Sequence, residues 1–153
     1  MEPVFLSFLR HYPVPIWLCV PDSLQILMAN EAAAAYGAAG ARQPITTLAD
    51  LCPGDDRDRL IAQFRGPHRA GIRSGPWHLQ RANGETALVE LAAHAGVVGD
   101  HPALLVMAWD VTASRRQEEE LHRREAELHA TLHSVADAVI STDTRGRVVM
   151  MNP

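Results

Sequence analysis

A stretch near the start of the chain returns at its end, and that return constrains the fold more than any other feature. Residues 15–30 read PIWLCVPDSLQILMAN and residues 137–152 read DAVISTDTRGRVVMMN. Aligned without a gap, Ile26-Leu27-Met28 falls on Val148-Val149-Met150, Asn30 falls on Asn152, and Arg145-Gly146 takes the turn. Each copy is a pair of short apolar runs around a turn, the pattern of a β-hairpin. A unit recurring at so long a distance implies two copies of a whole domain. The second copy would begin near Ser134 and reach only its first hairpin. A hairpin alone is marginal in water, so the chain reads as part of a longer protein or as a truncated product.

Between the two copies, spacing and turn residues set the elements. Val4, Phe5, Phe8 and Leu9 predict a short amphipathic helix over 2–10, ended by the prolines of Tyr12–Pro15. Ile16–Val20 and Gln25–Ala29 predict two strands joined at Pro21-Asp22-Ser23. Asn30 stands as N-cap to a helix over Glu31–Tyr36, closed by Gly37 and Gly40. Residues 41–54 read as loop with one helical turn near Leu48. Leu60, Ile61, Phe64 and His68 predict a helix over Asp55–Ile72, interrupted at Gly66-Pro67. Pro76–Arg81, Thr86–Val98 and Ala103–Asp110 predict three more strands, the first two joined at Asn83-Gly84, the strongest hairpin signal present. Strands, a helical block and strands again suggest an α+β domain with an antiparallel sheet.

After Thr112 the character changes. Ser114–Glu127 is dense in Arg and Glu and lacks Gly and Pro, and Ser114-x-x-Gln117 has the form of a capping box. Leu121, Leu128 and Val135 recur at heptad spacing, with Leu132 four residues after Leu128. That is the seam of a short dimeric coiled coil. Glu118 and Glu125 hold the other seam positions and weaken it.

The 153 residues are 47% hydrophobic and 21% charged, a composition of ordinary globular proteins that excludes a mostly disordered chain, a collagen or a disulfide scaffold. The net charge of −4 argues against a dedicated nucleic-acid binder. Two distant cysteines, Cys19 and Cys52, suit a reducing cytosol. Prolines interrupt the apolar run Val14–Val20, far short of the ~20 apolar residues a membrane span needs, and the first residues lack the basic start of a secretory signal.

Residues Pro15–Thr112 resemble the PAS domain family. The resemblance rests on the hairpin ending in Asn30 with the helix behind it, on the turn Asn83-Gly84-Glu85, and above all on Trp109-Asp110-Val111-Thr112. That last motif is similar to the family's closing Asp-Ile-Thr, with Val in place of Ile. The charged helix from Ala113 is similar to the signalling helix that often follows such domains. The resemblance implies a five-stranded antiparallel sheet with helices on one face. It also implies the division 1–14 N-terminal cap helix, 15–112 sensor domain, 113–134 coiled-coil linker and 135–153 first hairpin of a second PAS domain. Family members sense small ligands, light, redox state or partners, and pass the state to outputs such as histidine kinases of two-component systems or cyclic di-GMP enzymes. The expected role is a cytoplasmic, homodimeric sensory module. The alternative is a ligand-free dimerisation or interaction module.

On that reading Ile61, Phe64, His68, Trp77, Leu79, Val89 and Leu91 are candidates to line a ligand pocket. His68 could offer an axial ligand to haem, against the plain reading of a half-exposed helix-end residue. Trp77 and Trp109 could face a flavin or simply fill core. The cysteine motif of photoreactive flavin members is absent, and Cys52 sits in a different context. Strand alternation turns Val89 and Leu91 inward and His94 and His78 outward. His122, His129 and His133 lie on the linker helix, and a pair of them falls short of the three or four ligands zinc takes, so no metal is expected. Asp110 and Thr112 are candidates to relay a signal by fixing where the outgoing helix starts. Leu121, Leu128, Leu132 and Val135 would form the dimer seam. No Ser-His-Asp context, phosphate loop or HExxH motif points to catalysis.

Overall fold

The computed structural model describes residues 7–37, 45–65, 71–134 and 140–151. The chain divides into two compact units, Met1–Thr112 and Ala113–Pro153.

In the first unit, strands β1 (Ile16–Cys19), β2 (Ile26–Ala29), β3 (Ile72–Gln80), β4 (Thr86–Val98) and β5 (His101–Asp110) form one antiparallel sheet of order β2-β1-β5-β4-β3. Two 3-10 turns, Ala32–Ala35 and Leu48–Leu51, and helix α1 (Asp56–Phe64) lie between β2 and β3 in sequence. Their apolar residues Ala33, Leu48, Leu51, Leu60 and Phe64 pack with Trp17, Cys19, Leu79, Val89, Leu91, Leu104 and Val106 in one buried cluster. The α+β architecture with five antiparallel strands matches the expectation from sequence.

Asn30 anchors the first strand. Its Oδ1 accepts from Ile16 N at 2.9 Å and Ala33 N at 3.0 Å, and its Nδ2 donates to the carbonyls of Tyr12 at 3.0 Å and Val14 at 2.8 Å. The residue is 3% exposed, so the carboxamide uses all four of its hydrogen-bonding positions away from bulk water. It caps the first 3-10 turn, as its position suggests, and also fixes the path by which the chain enters β1. Leu24 takes the left-handed region at φ 57°, rare for a branched side chain, while that side chain fills core at 1% exposure.

Each edge strand is partnered at one point by a neighbouring segment, which shortens the open ladder that invites strand addition. Along β2, Ile26 N donates to Thr46 O, and Gln25 bridges to Thr47. Along β3, His78 N donates to the Asp56 carboxylate at the head of α1. The β3–β4 register shifts between Ser74 and Trp77. Gly75 lies there at φ 151°, where a Cβ would come within 3.0 Å of the Val89 carbonyl oxygen. The Asn83-Gly84 turn forms as expected, with Gly84 at φ 88° and Glu85 N bonded to Asn83 Oδ1.

Several boundaries differ from those read in sequence. The helix expected over Asp55–Ile72 ends at Phe64, and Ile72 already belongs to β3. The β-branched Ile72 aligns with Ala93 of β4 and packs against the core, so pairing overrides helical spacing. The helix expected over Glu31–Tyr36 is a four-residue 3-10 turn. Of the N-terminal helix, residues 7–10 are helical; Val4 and Phe5 lie outside the described residues. So does His68.

In the second unit, helix α2 (Thr112–Ser134) starts before the Ser114 capping box read from sequence. Strands β6 (Ile140–Thr142) and β7 (Val148–Met151) pair as a two-stranded hairpin. Ile140↔Met151, Ser141↔Met150 and Thr142↔Val148, with a shift after Ser141, reproduce Trp17↔Ala29, Leu18↔Met28 and Cys19↔Ile26, with a shift after Leu18. The two hairpins therefore share a pairing pattern, but the alignment between them is not gapless. Ile140 takes the place of Trp17, not of Leu18, and the second turn is one residue shorter.

Replacing Asn30 by Ala should strand the Ile16 N–H and the carbonyls of Tyr12 and Val14 at once, while Ala33 N keeps its bond to the residue 30 carbonyl. We expect a loss of about 2–4 kcal/mol in urea unfolding, against about 1 kcal/mol or less for Asn83→Ala in its exposed turn.

Candidate functional site

The described pocket candidates converge between α1 and the β3–β4 ribbon. Phe64, Leu79, Val89 and Leu91 are fully buried, Trp77 is nearly so, and Ile61 packs against them from the rim. The Phe64 and Trp77 rings lie 6.2 Å apart. Trp77 Nε1 donates to Ser74 Oγ at 3.0 Å, and the Arg59 guanidinium covers the ring at 5.1 Å. A polar cleft of about 420 Å³ opens beside them, lined by Arg59, Gln63, Ser74, Gly75 and Trp77.

Asp56 closes the other end of this seam. Its carboxylate is buried and meets His78 N at 3.0 Å, His78 Nδ1 at 2.8 Å and Arg59 Nη1 at 2.7 Å. Burial alone would raise its pKa. The bonds from His78 and the charges of His78 and Arg59 outweigh that and hold it below the ordinary value. His78 is surface-exposed, as its alternation suggests, but it is partnered. Sequence reading passed over Asp56 because a carboxylate in the first turn of a helix is common for dipole reasons alone.

The end of β5 gathers a second cluster. Asp110 Oδ1 accepts from Thr112 N at 3.0 Å; its Oδ2 takes the Arg81 guanidinium and, at 3.4 Å, the Tyr36 hydroxyl. Thr112 Oγ1 accepts from Leu88 N at 2.9 Å, and Val111 N donates to Leu88 O at 2.8 Å. The first backbone N–H of α2 is thus received by Asp110, while the Thr112 hydroxyl ties that residue to β4. Tyr36 bridges to Arg81, and Gly37 N donates to Gln80 O. Asp110 therefore joins the end of β3, the end of the first 3-10 turn and the start of α2. Burial raises its pKa, but the Thr112 bonds and the Arg81 charge hold it below the usual carboxylate range. Arg81 and Tyr36 carried no signal in the sequence; only the fold brings them here.

Val89 and Leu91 face inward, and His94 is exposed on the opposite sheet face. An apolar groove of about 360 Å³ lies on that face, lined by Leu9, Leu18, Met28, His94, Val98 and Leu105 among others. Sequence reading did not single it out. Trp109 stands 38% exposed, with the Arg73 guanidinium 5.8 Å from its ring and Arg73 paired to Glu90 at 2.7 Å, so it is neither pocket wall nor core. On α2, Leu121 and Leu128 are exposed. Leu132 and Val135 fall outside the described side chains.

Haem and flavin need polar partners at the site. Among the described residues no buried side-chain N or O lacks a hydrogen-bond partner, and the candidate lining is apolar and closely packed. Cys52 and Cys19 are buried, and burial pushes both thiols up to about 12, far from a reactive thiolate. His68, the axial-ligand candidate for haem, lies outside the described residues. Among the described residues no cluster of three or more His, Cys, Asp or Glu could hold a metal, and no helix is long and apolar enough to cross a membrane.

No protein-family model matches this sequence, and no curated protein matches it. Solved structures do match. The PAS domain of an HTR-like protein from Haloarcula marismortui superposes with TM-score 0.57 at 15% identity, over 71% of this chain and 90% of that one. An RNA-binding light-oxygen-voltage receptor gives 0.61 at 16% identity over 82% of this chain, which spans 37% of the receptor. The PAS domain of BvgS from Bordetella pertussis gives 0.53 at 13% identity, over 82% and 98%. The chain has the PAS domain fold.

Two outcomes follow from these clusters. A carboxyl held below its unfolded pKa adds stability that is complete above the unfolded value and disappears as pH falls through the folded one. Urea stability should therefore fall as pH drops below ~4, and Asp110→Asn should flatten that fall in part, since Asp56 and Asp50 are also held low. A thiol-reactive dye should label Cys19 and Cys52 at the rate of unfolding; labelling of the native protein within seconds would contradict their burial.

Proposed function

We propose that this chain is a regulatory PAS module of a multidomain signal-transduction protein, of the histidine kinase or cyclic-dinucleotide type. It works in the cytoplasm as a homodimer joined through α2. Residues 15–112 form the sensor, 113–134 the coiled-coil linker, and 135–153 the opening hairpin of a second PAS domain. The module senses a small molecule admitted at the cleft beside Trp77; Ile61, Phe64, Leu79, Val89 and Leu91 are its candidate lining, and His68 is a candidate from the sequence alone. The state of the sheet passes to the helix through Asp110 and Thr112.

The Asp110 cluster carries this reading. One carboxylate is shared by the first N–H of a long helix and by side chains from two distant parts of the sensor. Any input that moves Arg81 or Tyr36 must change how that helix begins, and a signal of this kind requires only different affinity of the input for two states. A second reading, a ligand-free interaction module, is favoured by the filled core around Phe64 and Val89.

Native mass spectrometry and an absorption spectrum of freshly purified protein separate the two. The first reading expects a bound small molecule, or one captured from a metabolite library, whose binding is lost in Trp77→Ala and which alters amide exchange at the start of α2. A mass equal to the bare chain, with no library ligand bound, leaves the second.

A further inference from the structure

We infer that the cleft beside Trp77 selects small monocarboxylates, with Arg59, Gln63 and Ser74 as the receiving groups; this rests on the reading that a small molecule enters there. Arg59 and Gln63 are four residues apart on α1 and share one face of it. Ser74 comes from β3 on the other side of the cleft. It reaches that side through the irregularity of its strand. Ser74 aligns with Leu91, and Trp77 aligns with Val89. Two residues three apart thus face the helix layer together, where regular alternation would send them to opposite faces.

Each of the three groups has donors to give. Arg59 Nη1 donates to Asp56 at 2.7 Å, and the guanidinium lies 5.1 Å from the centre of the Trp77 ring, so it is held in place from two sides. Its Nε and Nη2 have no partner among the described residues. That edge is the fork that takes both oxygens of a carboxylate. The Arg59 side chain is 66% exposed, so a ligand reaches it without opening the core. Ser74 Oγ accepts from Trp77 Nε1 at 3.0 Å, which leaves its own proton to donate. The Gln63 carboxamide lines the cleft and has no partner among the described residues. Asp56 already offsets the Arg59 charge, and its second oxygen is taken by His78. What remains is a planar fork and two neutral donors. A singly charged, planar anion matches that set, whereas a phosphate dianion would lack compensation for its second charge.

The test is an NMR titration of the full chain at neutral pH, following the arginine Nε–H signals and the backbone amides of Ser74 and Gly75. The probes are sodium benzoate, its neutral isostere benzamide, and sodium phosphate. Benzoate is a fragment-sized probe, so we expect a Kd on the order of 1 mM, with the Arg59 Nε–H among the signals that move. Benzamide should bind about tenfold more weakly or worse. Arg59→Gln should abolish benzoate binding. Gln63→Ala removes an exposed side chain with no role in the fold; it should weaken benzoate about threefold or more and leave the urea midpoint unchanged. Benzamide or phosphate binding as tightly as benzoate overturns the carboxylate assignment. So does a cleft that ignores benzoate while a neutral or phosphorylated compound from a metabolite library moves the Ser74 and Gly75 amides; admission at the cleft then stands. A cleft whose amides respond to no probe and no library compound overturns both.

Discussion

Strand β1 is the first strand in sequence, yet it sits inside the sheet between β2 and β5. Its ladder to β5 closes a long loop, which costs entropy, so contacts that hold the lead-in to β1 in place support that pairing. The Asn30 carboxamide supplies such contacts. It joins the carbonyls before β1, the first N–H of β1 and the opening of the 3-10 turn in one buried knot. Arg10 and His11 reinforce it by pairing with Glu31 at the surface. With β1 in place, Trp17 and Cys19 meet Val106 and Leu104 across the ladder, and the helix-side core has its floor.

The local elements were readable wherever one strong signal decided them. Asn83-Gly84 marks the β3–β4 hairpin, with Gly84 supplying the positive φ and Asn83 Oδ1 accepting from Glu85 N. The alternation of Ala87, Val89 and Leu91 fixes which face of β4 is buried. The stretch from Asp55 to Ile72 failed for the opposite reason. Its apolar residues have helical spacing, but Ile72 also suits a strand, and only the partner strand decides between the two. The gapless repeat failed in the same way. Side-chain matching rewards Met28 over Met150 on the second strand and says nothing about a missing turn residue, whereas the strand pairing places Ile140 where Trp17 stands.

The two charged clusters were illegible because their members are far apart in sequence and ordinary in isolation. Asp110 stood out through its motif, but Tyr36 and Arg81 come from a 3-10 turn and a hairpin that meet only in the finished fold. Asp56 and His78 meet because the first turn of α1 comes beside the last residues of β3. Both clusters satisfy the same condition. A carboxylate shielded from water stays ionised only where several donors converge on it, and those donors are backbone N–H groups as well as cations. Each carboxylate thereby ties an element end to the backbone of its neighbour.

The two sheet faces differ in a way that bears on how such a module can be read by other parts of a protein. The helix-facing side is filled, and its residues have almost no exposure. The opposite side keeps an apolar groove between Leu18, Met28 and Leu105, with Leu9 of the lead-in on its wall. That lead-in is the same segment whose carbonyls Asn30 holds. A displacement of the segment would therefore act on the groove and on the Asn30 knot together. At the far end of β5, the Asp110 cluster ties the same sheet to the first residue of α2. The sheet is thus the shared element between the N-terminal lead-in and the outgoing helix. β5 pairs directly with the strand that Asn30 anchors and ends in the residue that receives the first N–H of that helix.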